Sequence, residues 1–253
     1  MDIKILLLMP LAFVCEFIDS SLGMGYGTSL APLLLLMGFE PLQIVPAILF
    51  SEFLSGITAA SFHHSLQNVN FKPRSKDTHI AFVLSVFSII GVIIAVFLAV
   101  KLPSKILKIC IGGIVLFMGI FIIATFKRKP RFTWRKITIL GTIASFNKGL
   151  SGGGYGPLVM GGQMLSGIGV KNAVAITSLA EGITCLAGII LYFFLKSNVD
   201  WTLAPWLMAG AVLSVPLAAH TVKRIPEKGM KIAVAAVVIL LGLLTLAKAL
   251  LGA

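Results

Sequence analysis

Apolar runs of about 20 residues recur along this chain, each long enough as a helix to cross the hydrocarbon core of a bilayer. Short stretches rich in glycine, proline, serine and lysine separate them. A membrane β-barrel would instead alternate apolar and polar positions over segments of about 10 residues, and no such alternation is present. The pattern predicts, in the first half, a broken helical segment over about 4–38 followed by spans at 41–62, 79–101 and 104–126. In the second half it predicts a broken segment over 134–167 and spans at 170–195, 201–219 and 229–250.

The halves are copies of one another. A shift of 129 residues lays Phe17, Gly23, Gly25, Tyr26, Gly27, Leu36, Gly38, Val45 and Glu52 on Phe146, Gly152, Gly154, Tyr155, Gly156, Leu165, Gly167, Val174 and Glu181 without a gap. At a shift of 123, Pro103, Lys105, Lys108, Ile109 and Gly119 fall on Pro226, Lys228, Lys231, Ile232 and Gly242. The expected division is therefore a first repeat at 1–126 and a second at 127–253, together forming one transport unit. A broken segment that returns to its own side or crosses twice, plus three spans, gives each half an odd number of crossings. The second repeat is then expected to sit inverted relative to the first. The fold class expected is an all-α polytopic membrane protein with two inverted repeats.

Composition agrees with lipid as the solvent: 58% of the 253 residues are hydrophobic and 12% charged, with a mean hydropathy of +1.02. The net charge of +12 comes from 21 Lys and Arg set mainly in short loops, which reads as topogenic charge and not as a nucleic-acid surface. Placing loops 63–79 and 127–136 in the cytoplasm, with Lys171, Lys223, Arg224, Lys228 and Lys231, puts fourteen basic residues inside. Six are left outside: Lys4, Lys101, Lys105, Lys108, Lys196 and Lys248. Both termini are expected outside, in a cytoplasmic membrane of bacterial type. Cys15, Cys110 and Cys185 are far apart in apolar segments and read as packing residues, with no metal or cofactor implied. His63, His64 and His79 border a cytoplasmic loop and are expected to be solvated.

Candidate chemistry gathers at the two breaks. Asp19, Ser20, Ser21, Gly23, Gly25, Tyr26 and Gly27 form the first, and Asn147, Lys148, Gly149, Ser151, Gly152, Gly153, Gly154, Tyr155 and Gly156 the second. Glycine costs about 1 kcal/mol per residue inside a helix, so such runs unwind. Unwound backbone at membrane depth persists only when covered by protein or lining a cavity. A half-helix starting there aims free N–H groups at the membrane centre, a ready anion site; close packing through small residues is the plainer account. Glu52 and Glu181 occupy equivalent mid-span positions, where a charge costs at least about 2.5–3.5 kcal/mol. Either each exchanges a proton during transport, or each braces the unwound backbone. Asp19 and Lys148 are also equivalent; they pair across the repeats, or Lys148 with Asn147 and Ser151 holds an anion, or Lys148 snorkels to the interface. Tyr26 and Tyr155 either donate to a ligand or fill the space the glycines leave. No hydrolase, zinc-protease, redox or nucleotide motif is present, so an enzyme is not expected.

With those residues in view, the chain resembles the TauE/SafE (TSUP) permeases. The likeness lies in two copies of an S/G-x-x-G-x-G-G/Y-G break, Ser20 to Gly27 and Gly149 to Gly156, each followed by a span with a central polar residue. It covers essentially the whole chain. The resemblance implies a secondary transporter for a small sulfur-containing anion such as sulfite, sulfoacetate or another organosulfonate. Export from the cytoplasm with proton coupling is implied as well. Two departures bear on ligand contacts, both in the first half: Gly25-Tyr26-Gly27 stands where the family has a run of glycines, and Pro32 lies well beyond Gly27, whereas in the second half Pro157 follows Gly156 directly. The partners expected are a small anion, protons and the lipid bilayer, with no nucleic acid. An anion channel, a permease for another organic anion and a non-transport membrane subunit are the alternatives.

Overall fold

In lipid every backbone N–H and C=O needs a partner within the protein, and a helix supplies all of them from one segment. The computed structural model, which describes residues 3–125, 133–196, 199–222 and 227–251, is helical wherever regular structure occurs among those residues. The helices are α1 (Ile3–Leu22), α2 (Tyr26–Leu36), α3 (Pro41–Ser65), α4 (Lys76–Ala99) and α5 (Ser104–Thr125) in the first half. The second half holds α6 (Trp134–Ser151), α7 (Tyr155–Met164), α8 (Val170–Leu195), α9 (Ala204–Thr221) and α10 (Glu227–Leu251). Lys223, Arg224 and the basic stretch 127–132, which enter the topology argument, and Pro226, which enters the repeat, lie outside the described residues, as do the side chains of Lys4, Lys136 and Lys228.

Six of these helices, α1, α3, α4, α5, α8 and α10, are long and apolar enough to cross a membrane. Their outward faces carry large apolar side chains with nothing packed over them, such as Phe82 (65% exposed), Phe117 (55%) and Leu240 (57%). That surface suits lipid rather than water.

Helix boundaries shift by up to three residues from the expectation, and two of the shifts have a clear cause. Helix α4 begins at Lys76 because Ser75 accepts a hydrogen bond from the Thr78 N–H and caps it. Helix α3 runs on through His63, which is fully buried rather than solvated. Its Nε2 lies 3.1 Å from the Ser20 carbonyl and its Nδ1 3.1 Å from the Asn68 amide nitrogen. Asn68 in turn donates to the Ala219 carbonyl at the end of α9.

Packing is shared between the halves. Helix α1 packs along α9, and its counterpart α6 packs along α4; α3 crosses α8, and α5 crosses α10. The crossings run through small residues. A Cβ on Gly119 of α5 would meet Ile239, and one on the equivalent Gly242 of α10 would meet Leu116. Such close approach is how helices associate without a hydrophobic driving force. Each broken pair thus rests on a helix of the other half, and both breaks are carried to the centre of the molecule.

Candidate functional site

The two breaks have the same local shape. Helix α1 ends with the Gly23 N–H bonded to the Asp19 carbonyl at 2.6 Å, and α6 ends with the Gly152 N–H bonded to the Lys148 carbonyl at 2.8 Å. The chain turns at Gly23 (φ 71°) and Gly25 (φ 138°) in the first, and at Gly152 (φ 72°) and Gly154 (φ 82°) in the second. Only glycine takes those backbone angles without strain. Helices α2 and α7 then restart at Tyr26 and Tyr155.

The breaks touch backbone to backbone. A Cβ on Gly27 would collide with the Gly152 carbonyl, and one on the equivalent Gly156 would lie 2.5 Å from the Gly23 carbonyl oxygen. Gly153 is pressed as closely against the Gly27 carbonyl carbon, at 2.6 Å from such a Cβ. Gly149 serves a different purpose: it lets α6 lie on Val92 and Ala95 of α4, while its carbonyl accepts the Tyr192 hydroxyl at 3.0 Å.

Charged groups converge beside this contact. Lys148, fully buried, forms ion pairs with Glu52 Oε2 and with Glu181 Oε1, the latter at 2.7 Å. Asp19, one of the partners considered for Lys148, is engaged elsewhere: its Oδ1 accepts the Tyr26 N–H at 3.1 Å, so a carboxyl group occupies the N-terminal end of α2. The reason is directional. Asp19 and Lys148 stand at equivalent places on α1 and α6, but the short side chain reaches only the adjacent half-helix, whereas the long one extends to the α3/α8 crossing. There Gly56 and Gly182 bring the two helix backbones together.

The tyrosines are fully buried, with hydroxyls tied to serines: Tyr26 to Ser51 at 2.7 Å and Tyr155 to Ser88 at 3.0 Å. Ser151 Oγ donates to the Asn147 carbonyl and accepts the Gly153 N–H, holding the second break in shape. Ser20 Oγ donates to Glu16 Oε1 at 2.6 Å. Ser21 is buried with its hydroxyl unbonded.

Glu16 is the site residue the sequence reading passed over. It is 2% exposed, and its signal was its place: a carboxylate in an apolar run, one helical turn before Asp19 and Ser20. Glu16, Asp19, Glu52, Ser55, Gly56, Ser178 and Glu181 line a cavity with room for about one water molecule. Among the described residues no group of three or more His, Cys, Asp or Glu is arranged to hold a metal ion.

A lipid-facing exterior around a charged interior, with two glycine-broken helices meeting at its centre, is the build of a multi-pass membrane transporter. The chain belongs to the sulfite exporter TauE/SafE family, whose sequence profile matches residues 8–245. It is 25% identical over 256 residues to the probable membrane transporter protein YtnM of Bacillus subtilis (strain 168), covering 96% of this chain and 83% of that one. It is 28% identical over 216 residues to the probable membrane transporter protein MJ0441 of Methanocaldococcus jannaschii, covering 79% of this chain and 77% of the relative.

Proposed function

We propose that this transporter carries a small sulfur-containing anion, sulfite or an organosulfonate such as sulfoacetate, out of the cytoplasm by alternating access, with proton movement coupled to the change of side. The observation that carries this reading is Lys148, a buried ammonium shared by Glu52 and Glu181 where the two breaks meet. A charge that deep is costly, and in membrane proteins it marks a transport path. Lys148 is held by its two glutamates, and the cavity beside it has room for about one water molecule, too little for an organosulfonate. Binding therefore needs the two halves to part, and the anion then takes the ammonium from one glutamate. The N–H groups at the start of α7, with Ser151 and Asn147, then complete the anion's surroundings. Glu52 and Glu181 are the proton carriers, and Asp19 braces α2.

An inverted arrangement of the repeats, with both termini outside, fits this mechanism, because rocking one half against the other exposes a central site to each side in turn. Support for it comes from the exchange of packing partners, α1 with α9 against α6 with α4.

Calorimetry or thermal shift on purified protein tests the reading, using sulfite, sulfoacetate, isethionate, thiosulfate, sulfate and a neutral control. Binding of a sulfur anion that is lost in Lys148→Ala and altered in Glu181→Gln is the expected result. Folded protein that binds none of them removes the substrate class.

A further inference from the structure

Four carboxyl groups, Glu16 and Asp19 on α1, Glu52 on α3 and Glu181 on α8, line the cavity, and among the described residues Lys148 on α6 is the one ammonium paired with any of them. The other titratable groups facing this cluster are uncharged in their ordinary forms: the thiols of Cys15 on α1 and Cys185 on α8, and the phenols of Tyr26 on α2 and Tyr155 on α7. His63 on α3 is held between the Asn68 amide nitrogen and the Ser20 carbonyl. Helices α4 and α9 carry ionisable residues only in their terminal turns. On α5 these residues are Lys105, Lys108 and Cys110, in its N-terminal third.

A group of buried side chains tolerates little net charge, because the desolvation of each uncompensated ion costs several kcal/mol. One ammonium against four carboxyls reaches neutrality when three carboxyls hold protons. One carboxyl oxygen of this set is open to a proton: Glu52 Oε1, on a residue that lines the cavity, is buried without a hydrogen-bond partner.

We propose, resting on the anion-transport reading above, that this site binds one monovalent anion together with one proton and rejects divalent anions. An anion that takes Lys148 from its glutamates leaves a bare carboxylate behind, and a proton from solution binds that oxygen; no other bond forms or breaks. With every carboxyl protonated, the cluster holds only the single positive charge of Lys148. That charge neutralises hydrogensulfite, a simple alkanesulfonate or sulfoacetate taken with its carboxyl protonated, but leaves sulfate or thiosulfate with a buried negative charge. Anion and proton then cross in the same direction.

The test is calorimetric titration of the purified chain with isethionate, a monoanion, and with ethane-1,2-disulfonate, a dianion of the same chemistry. It is run across pH 5.5 to 7.5 in buffers of different ionisation enthalpy, which report the protons taken up. Isethionate is expected to bind roughly tenfold tighter per unit fall in pH, with uptake of about one proton. The disulfonate is expected to bind at least about tenfold more weakly, the equivalent of one 1.4 kcal/mol step. In Glu52→Gln or Glu181→Gln, whichever folds, proton uptake falls and the pH dependence flattens. Isethionate binding with no proton uptake, or a disulfonate bound as tightly, overturns the charge rule and leaves anion transport standing. Folded protein that binds no sulfur anion at any pH removes the transport reading, and this rule with it.

Discussion

Lys148 Nζ lies 2.7 Å from Glu181 Oε1, deep in the protein where neither side chain meets solvent. It also pairs with Glu52, the residue equivalent to Glu181 in the other half, so one ammonium joins both repeats. Removing one member of such a group strands the others as uncompensated buried charges. Lys148→Met is expected to destabilise the protein by about 3–5 kcal/mol. Thermal unfolding in detergent checks this. The combination of Lys148→Met with Glu52→Gln and Glu181→Gln should recover much of the loss, because nothing ionised is then left behind.

Backbone contact between the breaks leaves no room for a side chain. Gly27→Ala and Gly156→Ala each place a methyl group against a rigid carbonyl and are expected to cost about 1–3 kcal/mol or more. Gly113→Ala on α5 is the control: nothing lies within 4 Å of its Cβ, and replacing a helical glycine there should stabilise by about 0.5–1 kcal/mol. Expression and unfolding temperature of the three variants separate the cases.

Asp19 caps α2 through the Tyr26 N–H. Asp19→Ala removes the acceptor and should cost about 1 kcal/mol, while Asp19→Asn, which keeps an oxygen, should cost less. If the two variants unfold at the same temperature, the cap is not what holds the start of α2.

The hydroxyl pairs Tyr26 with Ser51 and Tyr155 with Ser88 connect the half-helices to α3 and α4. Tyr155→Phe is expected to lose about 1 kcal/mol. The double variant with Ser88→Ala should lose less than the sum of the single losses, since the bond can be broken only once.

At the corner before α3, Glu40 accepts from Lys108 and from Ser104, and these bonds hold its carboxyl below the usual carboxylate range. Because the folded-state value is the lower one, the bond's contribution is fully present above the ordinary value for a glutamate. It is lost as pH falls through the folded value. Glu40 is largely exposed, so the effect is a few tenths of a kcal/mol at most. Glu40→Gln should flatten the acid limb of the unfolding midpoint slightly and leave the neutral limb unchanged.

Much of the architecture was legible in the sequence because membrane helices declare themselves by length and hydropathy. The shift of 129 residues likewise exposed the repeat through glycines that tolerate no substitute. The breaks were foreseeable for the same reason: positive φ at Gly23 and Gly152 is a local backbone demand, written in residue type. What each charged side chain touches was not foreseeable. Asp19 and Lys148 are equivalent in the repeat, and their opposite charges suggested a pair. Side-chain length and the α3/α8 crossing send them instead to a helix end and to two glutamates.

His63 looked like a loop residue because it stands beside polar neighbours, yet α3 continues past it and buries it against Ser20. Glu16 gave one faint sign, a carboxylate within an apolar run, and has no acidic counterpart in the second half, where Ser145 stands. The sequence by itself determined the helices and their breaks, because these depend on local backbone preference and on the cost of polar groups in lipid. Only the tertiary structure decided which charges meet, because that depends on helix crossings between residues far apart in the chain.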